Sequence, residues 1–175
     1  SAIKSEINTA QNYVNEIKTA INNLDNKEIE KEYSMNQYDA EEGERLVEVA
    51  KQMLERYGSS TGYCATGVSR TMSMAYGISK GGNGCDWDTN MEELVAQGMF
   101  TEVTSDYPTS GDLSSLPAGA VVCWEATGGT NGGGAQYGHV TIADGNGGEI
   151  SDHYAQNIYT SVGGRSDTYR IFLPV

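Results

Sequence analysis

Positive charge is scarce in this chain of 175 residues. Lys and Arg number 11 against 24 Asp and Glu, a formal net charge of −13. Nucleic acids and anionic membrane surfaces are gripped by basic patches, so neither is an expected partner. Long apolar runs are absent as well, and no transmembrane helix is expected. No signal-peptide pattern opens the chain, which starts at Ser1 rather than Met and reads as a mature or excised form. Cysteine is sparse, with Cys64, Cys85 and Cys123 only. An odd, widely spaced set excludes a disulfide framework, and no CxxC pair points to zinc. One bridge, Cys85 to Cys123, stays open, which leaves at least one thiol outside it. Histidine is rarer still: His139 and His153 are the only two.

The length suits one domain plus an accessory segment. Ile3, Ile7, Ala10, Val14, Ile17, Ile21 and Leu24 recur at alternating steps of four and three, a heptad seam. It predicts an amphipathic helix over 2–25 whose narrow stripe wants a partner helix through residues 3–24 or a place on its own domain. Residues 25–38 are polar and charged and either continue the helix or link it onward. We place an accessory unit at 1–38 and the main domain at 39–175. Asp39 with Glu42 forms a capping-box pattern. Leu46, Val49, Ala50, Met53, Leu54 and Tyr57 follow on one face, and Gly58 stands where the helix should end.

After residue 58 the chain turns glycine-rich. A helix is predicted over 64–76, and Thr89 with Glu92 suggests a capping box opening "MEELVAQGMF". "AGAVVCWEA", "GHVTIADG", "GEISDHYAQ" and "DTYRIFLPV" read as strands. Helices followed by an antiparallel sheet make an α+β domain. The loop "TGGTNGGGAQYG", 127–138, has neither dinucleotide nor Walker spacing and reads as a loop beside a site. Asp86, Asp88 and Asn90 imitate the start of a calcium loop. Met91 and Gln97 stand where such a loop needs Gly and Glu, and helix capping accounts for Thr89 and Glu92 without a metal.

Thiol catalysis needs a thiolate, and an ordinary cysteine has a pKa of about 8.5. A helix N-terminus supplies partial positive charge and unpaired N–H groups, and Cys64 is predicted to sit at one. Those N–H groups also suit a developing oxyanion. An imidazole must then serve as base for the thiol and acid for a leaving amine, and a third polar group must orient it. His139 opens a predicted strand, and Asp152 lies on the next. Cys123, mid-strand among apolar neighbours, reads as core, and Trp124 suits the core as well as the groove. Cys85 lies in a glycine-rich loop and reads as an inert or bridged thiol. Tyr63, His153 and Trp87 are candidates for lining the substrate groove.

"GYCATGVSRTMSMAYG", "LPAGAVVCW" and "YGHVTIADGNGGEISDH" resemble the papain-like cell-wall hydrolases of the CHAP and NlpC/P60 group over about residues 40–175. In that group a cysteine begins a helix packed on an antiparallel sheet, a Gly-His-apolar strand carries the base, and the next strand carries its orienting residue. The resemblance implies an amidase or endopeptidase cutting peptidoglycan stem peptides with Cys64, His139 and Asp152, without metal or organic cofactor. The chain has Tyr63-Cys64-Ala65-Thr66 where NlpC/P60 proteins usually have Asp-Cys-Ser-Gly. CHAP proteins usually place Glu or Asn third, and the candidates here are Asp152, His153, Gln156 and Asn157. Asp152 is preferred because a carboxylate accepts the imidazole N–H, and His153 is the alternative.

Two other readings stand beside this one. A papain-like protease or acyltransferase on protein substrates would use the same chemistry. A binding module on a helical stalk would use none. As a hydrolase, the chain is expected to be secreted or delivered to the bacterial cell wall, as a phage lysin component, an interbacterial toxin or a housekeeping enzyme. For a toxin, the acidic surface would suit an immunity protein.

Overall fold

The computed structural model describes residues 2–107, 113–130, 132–158 and 168–175, with the side chains of the first helix described over 6–26. Contacts divide the chain into two units, Ser1–Asn36 and Gln37–Val175. The first is a single helix, α1 (Ala2–Asn36), so the polar stretch after residue 25 continues the helix through Asn36. Tyr38 belongs with the second unit, where its hydroxyl donates to Ala118 O at 2.9 Å.

The second unit begins with α2 (Ala40–Tyr57). Asp39 caps it by accepting from Glu42 N at 3.0 Å. The reciprocal half of the predicted box is missing because Glu42 pairs with Arg45 at 2.6 Å. Next come α3 (Cys64–Tyr76) and α4 (Trp87–Ala96). A capping box does precede α4, but it lies on the 3-10 turn Gly84–Asp86 and joins Asn83 with Asp86. Thr89, predicted as the cap, is inside the helix and donates to its neighbour Asp88. The predicted "MEELVAQGMF" helix stops at Ala96, and Phe100 instead opens a strand.

The strands are β1 (Phe100–Glu102), β2 (Val121–Trp124), β3 (His139–Ala143), β4 (Glu149–Ile150), β5 (Tyr154–Ala155) and β6 (Tyr169–Pro174). They form one sheet in the order β1-β6-β2-β3-β4-β5, every pair antiparallel. The predicted single strand "GEISDHYAQ" is thus a hairpin of β4 and β5. A short helix, α5 (Gly133–Tyr137), interrupts the glycine-rich loop ahead of β3.

Both faces of the central strands are covered. On one, Leu46, Val68, Met72, Trp87 and Met91 from the helices pack on Val121, Val140, Ile142 and Phe172. On the other, Val122, Trp124 and Ile171 meet Leu113, Leu116 and Ile158 from the loops. This explains why β2 and β3 are buried at every position, and each large side chain so buried contributes about 1.5–3 kcal/mol. Arg170 on β6 ties the sheet to α4 through Glu92 at 2.6 Å and Asp88 at 3.5 Å, and it pairs with Glu102 at 2.7 Å.

The residues of the calcium-like stretch have other bonds. Asp88 faces Arg170, Asp86 accepts from Asn83 N, and Asn90 donates to Gly81 O.

Candidate active site

Cys64 is the first residue of α3 and is half-buried. The helix begins there because Val68, Thr71 and Met72 form a buried face against the sheet, which fixes the axis, and Tyr63 has left helical geometry at ψ 36°. Tyr63 provides no side-chain cap, and the first turn has no acidic residue. The positive end of the helix dipole is therefore uncompensated from within the helix. Its depth in the fold is set by Gly67. A Cβ there would lie 2.3 Å from Ser151 O and 2.5 Å from Asp152 N, so only glycine lets α3 lie this close to the β4–β5 turn.

His139 opens β3 opposite Trp124 of β2. The ring packs at 5.4 Å from the Trp124 ring, inclined at 48°. Gly138, just before it, has φ 68°, and a Cβ would meet Trp124 O at 2.3 Å. A positive φ in so confined a place requires glycine. The carboxylate near the imidazole is Glu149, whose Oε1 lies 3.6 Å from His139 Nε2. That is an ion-pair separation rather than a hydrogen bond. Glu149 pairs across from Ala143 and is buried, at 2% exposure.

Asp152, the sequence candidate for orienting His139, has other partners. It lies in the β4–β5 turn and accepts from Tyr63 N at 2.9 Å, from Ser60 Oγ at 3.0 Å and from Ser151 Oγ at 3.2 Å. Its Oδ1 is 3.0 Å from His153 Nδ1, and its backbone oxygen accepts from Ser60 N. The carboxylate therefore pins the segment that leads into Cys64. Burial pushes its pKa up, but the hydrogen bonds from Tyr63, His153 and Ser60 outweigh burial and hold it below the ordinary carboxylate value.

Cys64, His139, Asp152 and His153 border one cleft of about 280 Å3, together with Tyr137 and the glycines of the 133–138 segment. Tyr63 is well exposed, at 64%. Trp87 departs from expectation: it is fully buried in the helix-side core and has no surface to offer a substrate. Its apolar ring starts α4 facing the sheet, an orientation that local sequence does not reveal. No disulfide joins Cys85 and Cys123. Cys123 is buried in β2, and burial raises its pKa well above the ordinary value. Burial, followed by the charge of Asp86, raises that of Cys85.

Gln156 and Asn157, further candidates for the third position, are exposed beyond β5. A carboxylate that the sequence analysis did not single out, Glu149, is the one beside His139. Its signal was a carboxylate within a short strand-forming run, next to the segment searched and of the type the CHAP pattern favours. A family model described as the CHAP domain matches residues 55–157, a span that includes Cys64, His139, Glu149, Asp152 and His153. Comparison with curated proteins and with solved structures returned no significant match.

Proposed function

Because the chain belongs to the CHAP domain family, we propose that it is a cysteine amidase or endopeptidase of peptidoglycan stem peptides, with Cys64 as nucleophile. Members of that family are generally hydrolases acting on peptidoglycan. The observation that carries the assignment to Cys64 is its position at the start of α3 on the cleft that His139 also borders.

In the proposed reaction His139 takes the thiol proton, and the thiolate attacks a stem-peptide carbonyl. The N–H groups of the first turn of α3 hold the resulting oxyanion. The tetrahedral adduct collapses, the C–N bond breaks, and His139 gives its proton to the leaving amine. Water then attacks the thioester with His139 again as base, releasing a carboxylate and restoring the thiol. Glu149 takes the third position in this reading. Its carboxylate on the Nε2 side favours the proton there and leaves Nδ1 for the thiol. Asp152 is a positioning residue for the Cys64 helix start. His153 and Tyr63 contact the substrate. This chemistry calls for no metal or organic cofactor, and the substrate places the enzyme at the bacterial cell wall.

Mass spectrometry of peptidoglycan digested by the wild type and by Cys64→Ala in parallel tests the assignment. The wild type is expected to release fragments with one new amine per cut, and the variant to release none while keeping its fold. Undiminished cleavage by Cys64→Ala would falsify the mechanism, and casein cleaved in preference to peptidoglycan would redirect the substrate.

A further inference from the structure

Trp124 takes no part in the proposed reaction, yet it is the aromatic neighbour of the proposed base. It is fully buried, and it stands directly opposite His139 in the β2–β3 pairing and directly opposite Tyr169 in the β2–β6 pairing. Its ring centre lies 5.4 Å from that of His139 and 6.0 Å from that of the buried Tyr169, with the planes inclined at 48° and 50°. Both separations fall in the range of roughly 4.5–7 Å at which aromatic rings attract. Three rings thus occupy one row across β6, β2 and β3, and the row ends at the cleft that His139 borders. Directly opposed side chains of this kind are the unit of sheet stabilisation, so the indole is pinned from both sides.

An imidazole needs such a neighbour. Its rotation about Cβ–Cγ is a broad torsion with little preference of its own, and a base must keep one chosen nitrogen toward the thiol. The Glu149 carboxylate, 3.6 Å from Nε2, attracts one edge of the ring at beyond hydrogen-bond distance and leaves its tilt loosely determined. The buried indole determines the tilt, because turning the imidazole toward it meets close-packed atoms. The root of the same side chain is held by the main chain. A Cβ on Gly84 would lie 2.5 Å from His139 N and 2.6 Å from His139 Cα.

We propose that Trp124 is a positioning residue for His139. Its indole holds the imidazole in the plane that serves the thiol, and Tyr169 backs the indole from β6. The proposal rests on the reading of His139 as the base.

Two measurements on the full chain test it, the imidazole NMR signals of the free enzyme and kcat with KM on peptidoglycan. The chain has two histidines, so His153→Ala assigns the signals and His153 serves as the internal reference. Trp124→Leu keeps apolar bulk and loses the aromatic face. It is expected to move the His139 signals and leave those of His153 in place. It is also expected to lower kcat by about 10²-fold, the cost of a misplaced catalytic group, with KM little changed. Trp124→Phe, which restores a ring, is expected to recover most of that loss. Tyr169→Leu, which leaves Trp124 in place, is expected to lower kcat several-fold, and it carries the test should Trp124→Leu fail to fold. A folded Trp124→Leu or Tyr169→Leu with wild-type kcat overturns the proposal, as does a Trp124→Phe no faster than Trp124→Leu. Undiminished cleavage by His139→Ala would instead overturn the base reading. His139 signals that ignore Trp124→Leu overturn the positioning role alone.

Discussion

Two imidazole–carboxylate pairs belong to the same neighbourhood, and they differ in almost everything except their chemistry. His139 and Glu149 are both buried, and the imidazole is wedged against Trp124 at 3.6 Å from the carboxylate. His153 is half-buried with a 3.0 Å contact to Asp152, and that carboxylate is already engaged by Ser60, Tyr63 and Ser151. The tighter pair by distance shares its carboxylate with Tyr63 N and with the hydroxyls of Ser60 and Ser151. The looser pair has a buried carboxylate beside an imidazole held by packing. In the proposed reading His139 is the base, and the carboxylate beside His153 braces the segment that leads into Cys64.

Substitutions can break that distinction in order of expected size. His139→Ala removes the proposed base and should lower kcat/KM for peptidoglycan by about 10²–10⁴-fold, with thermal stability checked alongside. Glu149→Gln retains shape but loses the charge proposed to orient the ring. A misoriented catalytic group costs roughly 10²-fold, read as kcat with KM little changed. Asp152→Asn should act on stability first. Hydrogen bonds to charged groups contribute about 1.5–3 kcal/mol each, and an amide keeps some of them, so a loss of about 2 kcal/mol is expected in urea unfolding. If Asp152→Asn left stability intact and cut kcat as deeply as Glu149→Gln, the two pairs would have to exchange roles. His153→Ala, at the rim, should raise KM a few-fold and leave kcat near the wild-type value.

The same contrast has a pH signature. Asp152 is held below its ordinary value of 3.8, so its contribution to stability is complete above that pH. It is lost as pH falls through the lower value of the folded state. The wild type should therefore lose stability on acidification below about pH 4 more steeply than Asp152→Asn. Parallel unfolding curves for the two proteins would remove Asp152 from the account of how α3 is anchored.

Much of this was legible in the sequence where the signal was local. Asp39 and Gly58 bracket α2 because capping is decided within a few residues. The start of α3 at Cys64 and of β3 at His139 followed from apolar spacing. What escaped depends on contacts remote in sequence. The β4–β5 turn contains neither Gly nor Pro; a hydrogen bond from Ser151 N to His153 O and the bonds of Asp152 to Ser60 and Tyr63 hold it. With the turn hidden, Asp152 reads as a residue of the strand next to His139 and as its orienting group, and Glu149 is passed over. Trp87 looked available because nothing within α4 indicates that the ring points at the sheet.

Gly67 has one further consequence. It touches no reacting group, yet it fixes how far Cys64 stands from the β4–β5 turn. Gly67→Ala would act as a shim inserted between two machined surfaces: the helix must lift by a fraction of its own side-chain width, taking Cys64 with it. A series of shims, Ala and then Ser, would calibrate reactivity against displacement while leaving every acid, base and thiol chemically untouched. The missing methyl group is in that sense the gauge to which the depth of Cys64 is set.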